Sequence, residues 1–131
     1  MPDTEKVSFN ISVVDLGQVD LLIEQGFYSS RTDFLVAAVR SCLHTHAATV
    51  QQAVAHRSMT LGIAIYSRKS LEEIVAAGRQ LELRVVGVLE IAKDVTPELA
   101  RAAIKSVSVF GKLRASPEVT AALLFRKRSE G

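Results

Sequence analysis

Between Lys6 and Ser12 the chain alternates. Val7, Phe9 and Ile11 are apolar, while Lys6, Ser8, Asn10 and Ser12 are polar. A period of two predicts a strand with one buried face. The period then lengthens: Leu16, Val19, Leu22 and Ile23 recur at three- and four-residue steps and predict a first helix. It starts at Ser12 or Asp15, Asp15 having Gln18 at capping-box spacing, and Gly26 fits the left-handed position that ends a helix. A second helix is predicted from Ser29 or Ser30, whose hydroxyls suit an N-cap, with Asp33 favoured in the first turn by the helix dipole. It carries Phe34, Leu35, Ala38, Val39, Cys42 and Leu43. No Gly or Pro interrupts residues 31 to 57. The apolar steps through His46, Val50 and Val54 predict that this helix continues as a linker or second dimer contact.

One strand and two short helices cannot close a core. A segment of about 40 residues usually needs oligomerisation, metal or disulfides. The stretch from Lys6 to Leu43 therefore reads as half of an intertwined dimer. The strand's unpaired backbone groups find their simplest partner in the same strand of a second copy, antiparallel across a two-fold axis. Val7, Phe9 and Ile11 then face the helices, and with Leu22, Phe34, Leu35 and Val39 they form the expected dimer core. Lys6, Ser8 and Asn10 face outward, doubled by symmetry.

Beyond residue 57 the pattern becomes βα-like. Strands are predicted at Thr60–Tyr66, Leu83–Ile91 and Ser106–Arg114, and helical stretches at Arg68–Ala77, Pro97–Ala103 and Pro117–Phe125. Thr96-Pro97-Glu98 and Ser116-Pro117-Glu118 are the same start signal, an N-cap followed by Pro at the first helical position. Val85-x-Gly87-x-Leu89 matches Val109-x-Gly111-x-Leu113, and Gly62 marks a degenerate first copy. Such a period suggests a short repeat stack or small parallel sheet. Glycines inside strand patterns mark close packing or a bulge, not a phosphate loop. The expected fold class is α+β: an N-terminal dimerisation unit over 1–57 and a small βα-repeat region over 58–131, for assembly or for binding a partner or effector. The tail from Arg126 to Gly131 is expected to fray.

The strand V-S-F-N-I-S, the glycine that ends the first helix and the entry G-F-Y-S-S-R-T-D-F-L to the second resemble the ribbon-helix-helix (MetJ/Arc) superfamily of bacterial DNA-binding proteins. The resemblance covers about the first third of the chain. It implies a two-stranded ribbon in the major groove, with Lys6, Ser8 and Asn10 on the face toward the bases. These residue types suit that role: Lys can donate to guanine O6/N7, Asn can pair with adenine N6/N7, and Ser serves either. It also implies that the turn at Ser29, Ser30, Arg31 and Thr32 holds DNA phosphates, for which a helix N-terminus with hydroxyls and a guanidinium is well furnished. The alternatives are a solvated outer face on a ribbon that only dimerises, and an ordinary helix cap.

Charge changes this picture. Residues 1–57 carry four bases and six acids, net −2, while residues 58–131 carry twelve bases and eight acids, net +4. A negative DNA-binding half loses much of the phosphate attraction behind nonspecific affinity, so weak binding by one dimer, strengthened by side-by-side dimers on repeated half-sites, is expected. Lys105, Lys112, Arg114, Arg126, Lys127 and Arg128 make the C-terminal half basic, among interspersed acids that suit a solvated surface. The apolar fraction of 48% excludes a disordered chain, and the 5% of aromatics leaves Val, Leu, Ile and Ala to build the core.

Chemistry beyond binding is poorly represented. Cys42 is the only cysteine, so no intramolecular disulfide forms. Cys42 and His46 share a helical face at ligand spacing, but His44 points elsewhere and a Cys in an apolar stripe is usually core, so no metal and no cofactor are expected. Residues 58–131 contain neither His nor Cys, unlike the nickel-sensing members of the superfamily. Catalytic motifs are missing too: no Gly-x-Ser-x-Gly, P-loop, His-Glu-x-x-His or dinucleotide fingerprint occurs, which argues against an enzyme. The polar start and the interrupted apolar runs predict a cytoplasmic protein with no membrane segment. The sequence reads best as a dimeric, DNA-binding transcriptional regulator and repressor whose partners are double-stranded DNA and a second copy. A tetramer and a protein partner on 58–131 remain open. The alternative is an assembly module, or an antitoxin-like regulator, that uses the N-terminal unit only to dimerise.

Overall fold

The computed structural model describes residues 4–124. The expected fraying of Arg126–Gly131, and the end of the last predicted helix at Phe125, lie outside the described residues. The elements are α1 (Val13–Glu24), α2 (Arg31–Thr45), α3 (Ala47–His56), β1 (Thr60–Tyr66), α4 (Arg68–Ala76), β2 (Leu81–Ile91), α5 (Pro97–Ala103), β3 (Ile104–Arg114) and α6 (Pro117–Leu124). The content is mixed helix and strand. The chain divides into two compact units at Gln51/Gln52, a boundary that falls within α3.

In the first unit α1 follows Ser12 directly, the Leu16 N–H donating to the Ser12 carbonyl at 2.9 Å. The Asp15–Gln18 capping box does not form. Gln18 instead donates to the Val14 carbonyl at 3.3 Å, and Ser12 makes no side-chain cap. Gly26 ends α1 as the sequence predicts. At φ +88° it sits in the left-handed region, its N–H donates to Ile23 and that of Phe27 to Leu22, each at 3.0 Å, and two otherwise orphaned carbonyls are satisfied. The turn then places the Tyr28 ring edge-on to Phe34, with centroids 5.0 Å apart.

The expected long second helix breaks at His46, which leaves helical geometry between α2 and α3. No Pro or Gly is present to cause this. Thr45 donates its hydroxyl to the Ser41 carbonyl at 3.1 Å, and the His46 N–H is shared between the Cys42 and Leu43 carbonyls. Back-bonding of this kind bends helices. Cys42, expected in a core by its apolar stripe, is exposed within one chain.

The second unit is a three-stranded parallel sheet in the order β1-β2-β3. Each strand leads into a helix whose start carries the expected N-cap. Ser67 accepts from Ser70 N at 3.1 Å, Thr96 from Leu99 N at 3.1 Å with Pro97 in the first turn, and Ser116 from Val119 N at 3.3 Å. The alternation inside β2 sends Leu83, Val85, Leu89 and Ile91 to the side where Leu71 of α4, Ala100 and Ala103 of α5 and Val119 and Leu123 of α6 join them in one core. Leu71, Leu89, Ile104 and Leu123 are essentially inaccessible, and each such side chain contributes roughly 1.5–3 kcal/mol. The repeat seen in sequence is a register in space: Gly62 lies opposite Gly87, and Gly87 opposite Gly111. Its physical cause is the close approach of the strands at this row. No described helix is long and apolar enough to cross a membrane.

Candidate nucleic-acid interface

Lys6, Ser8 and Asn10 lie in the stretch 4–12, which forms no strand within one chain. The sequence predicts a strand here, but its backbone has no ladder partner in the single copy, and an extended segment without one is not a sheet element. All three polar residues are exposed. So are the apolar residues between them, Val7 at 78%, Phe9 at 63% and Ile11 at 36%. Within one chain these three do not pack inward. Of the other expected core residues, Leu22, Phe34 and Leu35 are half-buried and Val39 is exposed. Val19 is the buried residue of α1, and α2 buries none.

The expected phosphate-binding turn is better ordered, and it is already engaged. Ser30 is the N-cap of α2 and accepts from the Asp33 N–H at 3.1 Å. The Asp33 carboxylate reaches back and accepts from the Ser29 N–H at 3.1 Å and the Ser29 hydroxyl at 3.3 Å. The two serines thus sit at a reciprocal cap with an acid inside it. Arg31 is committed as well: its Nε donates to Asp20 Oδ1 at 2.9 Å and its Nη2 to Asp20 Oδ2 at 2.8 Å, a two-pronged fork. The hydrogen bond from Arg31 and its charge hold the Asp20 carboxyl below its ordinary range, and the same contacts raise Arg31. Thr32 is exposed beside them. The chemistry of this corner is that of an anion site carrying its own anions.

The sequence patterns do not flag Asp20. It lies eleven residues before Arg31, beyond any helical spacing, and only the turn at Gly26 brings the two together. The signal available was an acid on the first helix and a base opening the second, on either side of a tight helical turn.

This pairing gives a direct expectation. Asp20→Asn releases the Arg31 guanidinium, and does so twice in the two-fold dimer that the resemblance seen in sequence implies. Each added phosphate contact steepens the dependence of log affinity on log salt by about 0.9. Binding of the variant to random duplex DNA at low salt is expected to be tighter than wild type, with a slope steeper by about 1.8; fluorescence anisotropy measures both. Because the folded carboxyl titrates below its ordinary range, the pair stays charged through neutral pH and is lost only as pH falls through that depressed value. The wild-type slope should therefore not change with Asp20 titration between about pH 6 and 8.

Among the described residues, no group of three or more His, Cys, Asp or Glu is placed to hold a metal ion. A family model described as the ribbon-helix-helix transcriptional regulator family matches residues 2–120. The chain belongs to that family. The match corrects the extent of the resemblance seen in sequence: it does not stop at the first third but runs on through the parallel sheet. Neither a curated protein nor a solved structure gives a match.

Proposed function

We propose that this member of the ribbon-helix-helix transcriptional regulator family is a dimeric, sequence-specific DNA-binding repressor that reads its site with a β-ribbon. In this reading residues 6–12 of two copies pair antiparallel. Lys6, Ser8 and Asn10 meet base edges in the major groove, and Ser29, Ser30, Arg31 and Thr32 approach the flanking phosphates. Val7, Phe9, Ile11 and Val39 become core by pairing, with Leu22, Phe34 and Leu35 beneath them. Residues 58–131 assemble dimers or receive a protein partner.

One observation carries the reading. A row of large apolar residues alternates with a polar row in a segment that has no strand partner among the described residues of its own chain, next to a fifteen-residue helix with no buried residue. A second copy supplies both the missing ladder and the missing cover, and the polar row then faces outward twice. The test is selection of duplexes from a random pool by the full chain, followed by anisotropy titration over salt. The expected result is an enriched motif of symmetric half-sites and a falling affinity as salt rises. No sequence preference together with a flat salt response would remove the DNA reading.

A second reading has its own support. The net charge of −2 over residues 1–57 and the engagement of Arg31 by Asp20 both favour a unit that dimerises without binding DNA, leaving the C-terminal unit to assemble copies or hold a partner. Under that reading the same selection returns no motif while the dimer persists.

A further inference from the structure

Over β1, the middle of β2 and Phe110, the described helices of the C-terminal unit leave one face of the sheet exposed, while Ser106 and Ser108, on the same side near the start of β3, are buried. Parallel sheets are normally covered on both sides. Here α4, α5 and α6 all pack on the side that holds Leu83, Val85, Leu89 and Ile91, joined there by Ala64, Tyr66, Val109 and Leu113. The alternate residues belong to the other side. On β1 these are Leu61, Ile63 and Ile65, exposed by 53%, 55% and 64%, and on β3 Phe110 is 43% exposed. Val86 and Val88 of β2 lie between them, in the rows Leu61–Val86–Phe110 and Ile63–Val88–Lys112. Six large apolar side chains thus lie side by side on one open surface.

Charge brackets this patch in a particular order. Along the open side of β2, after Glu82, the residues run Arg84, Val86, Val88, Glu90, and Arg114 of β3 lies beside Glu90 in the register. Arg84 is held at its end of the strand by donating to the Arg57 carbonyl at 3.1 Å and by Glu82 at 3.7 Å. The order is positive, apolar, apolar, negative, and its midpoint is Gly87.

We propose that this face is an interface with a second copy of the chain, sheet against sheet, about a two-fold axis that lies perpendicular to the strands at the Gly87 row. Rotation about that axis reverses the order of β2, so Arg84 faces Glu90 of the partner subunit and Val86 faces the partner's Val88. The apolar column of β1 covers its own symmetry mate. Phe110 meets the partner's Lys112, whose aliphatic stem and ammonium both suit an aromatic face. An axis parallel to the strands would instead lay the β1 column over Lys112 and Arg114, desolvating charges against apolar side chains. Charge complementarity therefore selects both the occupant and the axis. Aligned sheets cross at about 30°, a rotation that long Arg and Glu side chains can span. A nucleic acid would require a face of one positive sign, and an anionic membrane surface would not favour Glu90 beside the patch. The proposal stands on the second unit alone and adds to the ribbon pairing without depending on it.

The experiment measures the mass of the full chain in solution, by sedimentation or light scattering, for wild type, Ile63→Glu, Glu90→Arg and the double variant Arg84→Glu/Glu90→Arg. Circular dichroism verifies that each is folded. Ile63→Glu, at an exposed position, is expected to halve the mass, from four copies to two where the ribbon also pairs and from two to one where it does not. Glu90→Arg alone is expected to weaken the association at least tenfold, because it sets two positive groups opposite each other at both ends. Adding Arg84→Glu should restore it by exchanging the signs. A folded Ile63→Glu chain with unchanged mass overturns the proposal, as does a double variant no tighter than the single one. Phe9→Glu separates the two interfaces: a mass that falls with Phe9→Glu but not with Ile63→Glu keeps the ribbon dimer and removes the sheet interface. A monomeric wild type removes both.

Discussion

Gly87→Ala is expected to destabilise the C-terminal unit by about 3 kcal/mol or more, enough to lower its melting temperature by roughly 12–24 °C. Two costs combine at this position. Gly87 has φ +134°, in a region that L side chains rarely adopt. In addition, a Cβ there would lie 2.1 Å from the Gly62 carbonyl oxygen and 3.0 Å from its carbon. Both are backbone atoms of the neighbouring strand, held by the β1–β2 ladder, so relief requires the strands to separate. Gly62→Ala is the control, because Gly62 has nearly the same φ, +128°, but a Cβ there meets nothing within 4 Å. Calorimetric or circular-dichroism melts of the two variants therefore separate strain from collision. The expected order is wild type, then Gly62→Ala, then Gly87→Ala well below both. Equal melting of the two variants would mean that the strands are not in this register.

The same row shows which parts of the fold could be read from residues alone. The order of strands and helices in the second unit was legible because most of its boundaries carry a local signal, although β2 and β3 begin two residues before the expected Leu83 and Ser106. Ser67, Thr96 and Ser116 cap the helices, Pro97 and Pro117 open two of them, and Gly78 closes one. The Gly62/Gly87/Gly111 spacing pointed to close packing, which the register explains at Gly87 and Gly111. At Gly62 it does not, since a Cβ there would meet nothing within 4 Å.

Features that depend on atoms distant in sequence, or on another chain, were not legible in the same way. The break at His46 coincides with back-bonding of the Thr45 hydroxyl to the Ser41 carbonyl, which apolar spacing cannot report. Cys42 is exposed on a helix that buries none of its residues within one chain. The Asp20–Arg31 fork arises only after the chain reverses at Gly26. Lys6, Ser8 and Asn10 were identified by an alternation that the single chain does not turn into a ladder. The sequence carries the pattern of a strand there, while the hydrogen bonds that would make it one belong to an interface.

Asn10→Ala is expected to cost about 1–3 kcal/mol at each half-site, and so roughly 30-fold or more in affinity of a dimer for its selected duplex. In the proposed ribbon the variant removes, from two symmetric positions, a carboxamide able to accept from adenine N6 and donate to N7, and it removes no charge. Affinity for random DNA and the salt slope should therefore stay at the wild-type value, because both report phosphate neutralisation. Lys6→Ala is the complementary control, removing one cation per copy and making the slope shallower by about 1.8 for the pair if Lys6 lies close to phosphates. The negative balance of residues 1–57 makes the comparison sharper. With little bulk attraction, most of the discrimination between selected and random duplex must come from the few side chains at the base edges. The ratio of the two affinities is then the quantity that Asn10→Ala should collapse. An equal loss on selected and random DNA would place Asn10 away from the bases, and no loss on either would make the outer row a solvated face of a dimerisation ribbon.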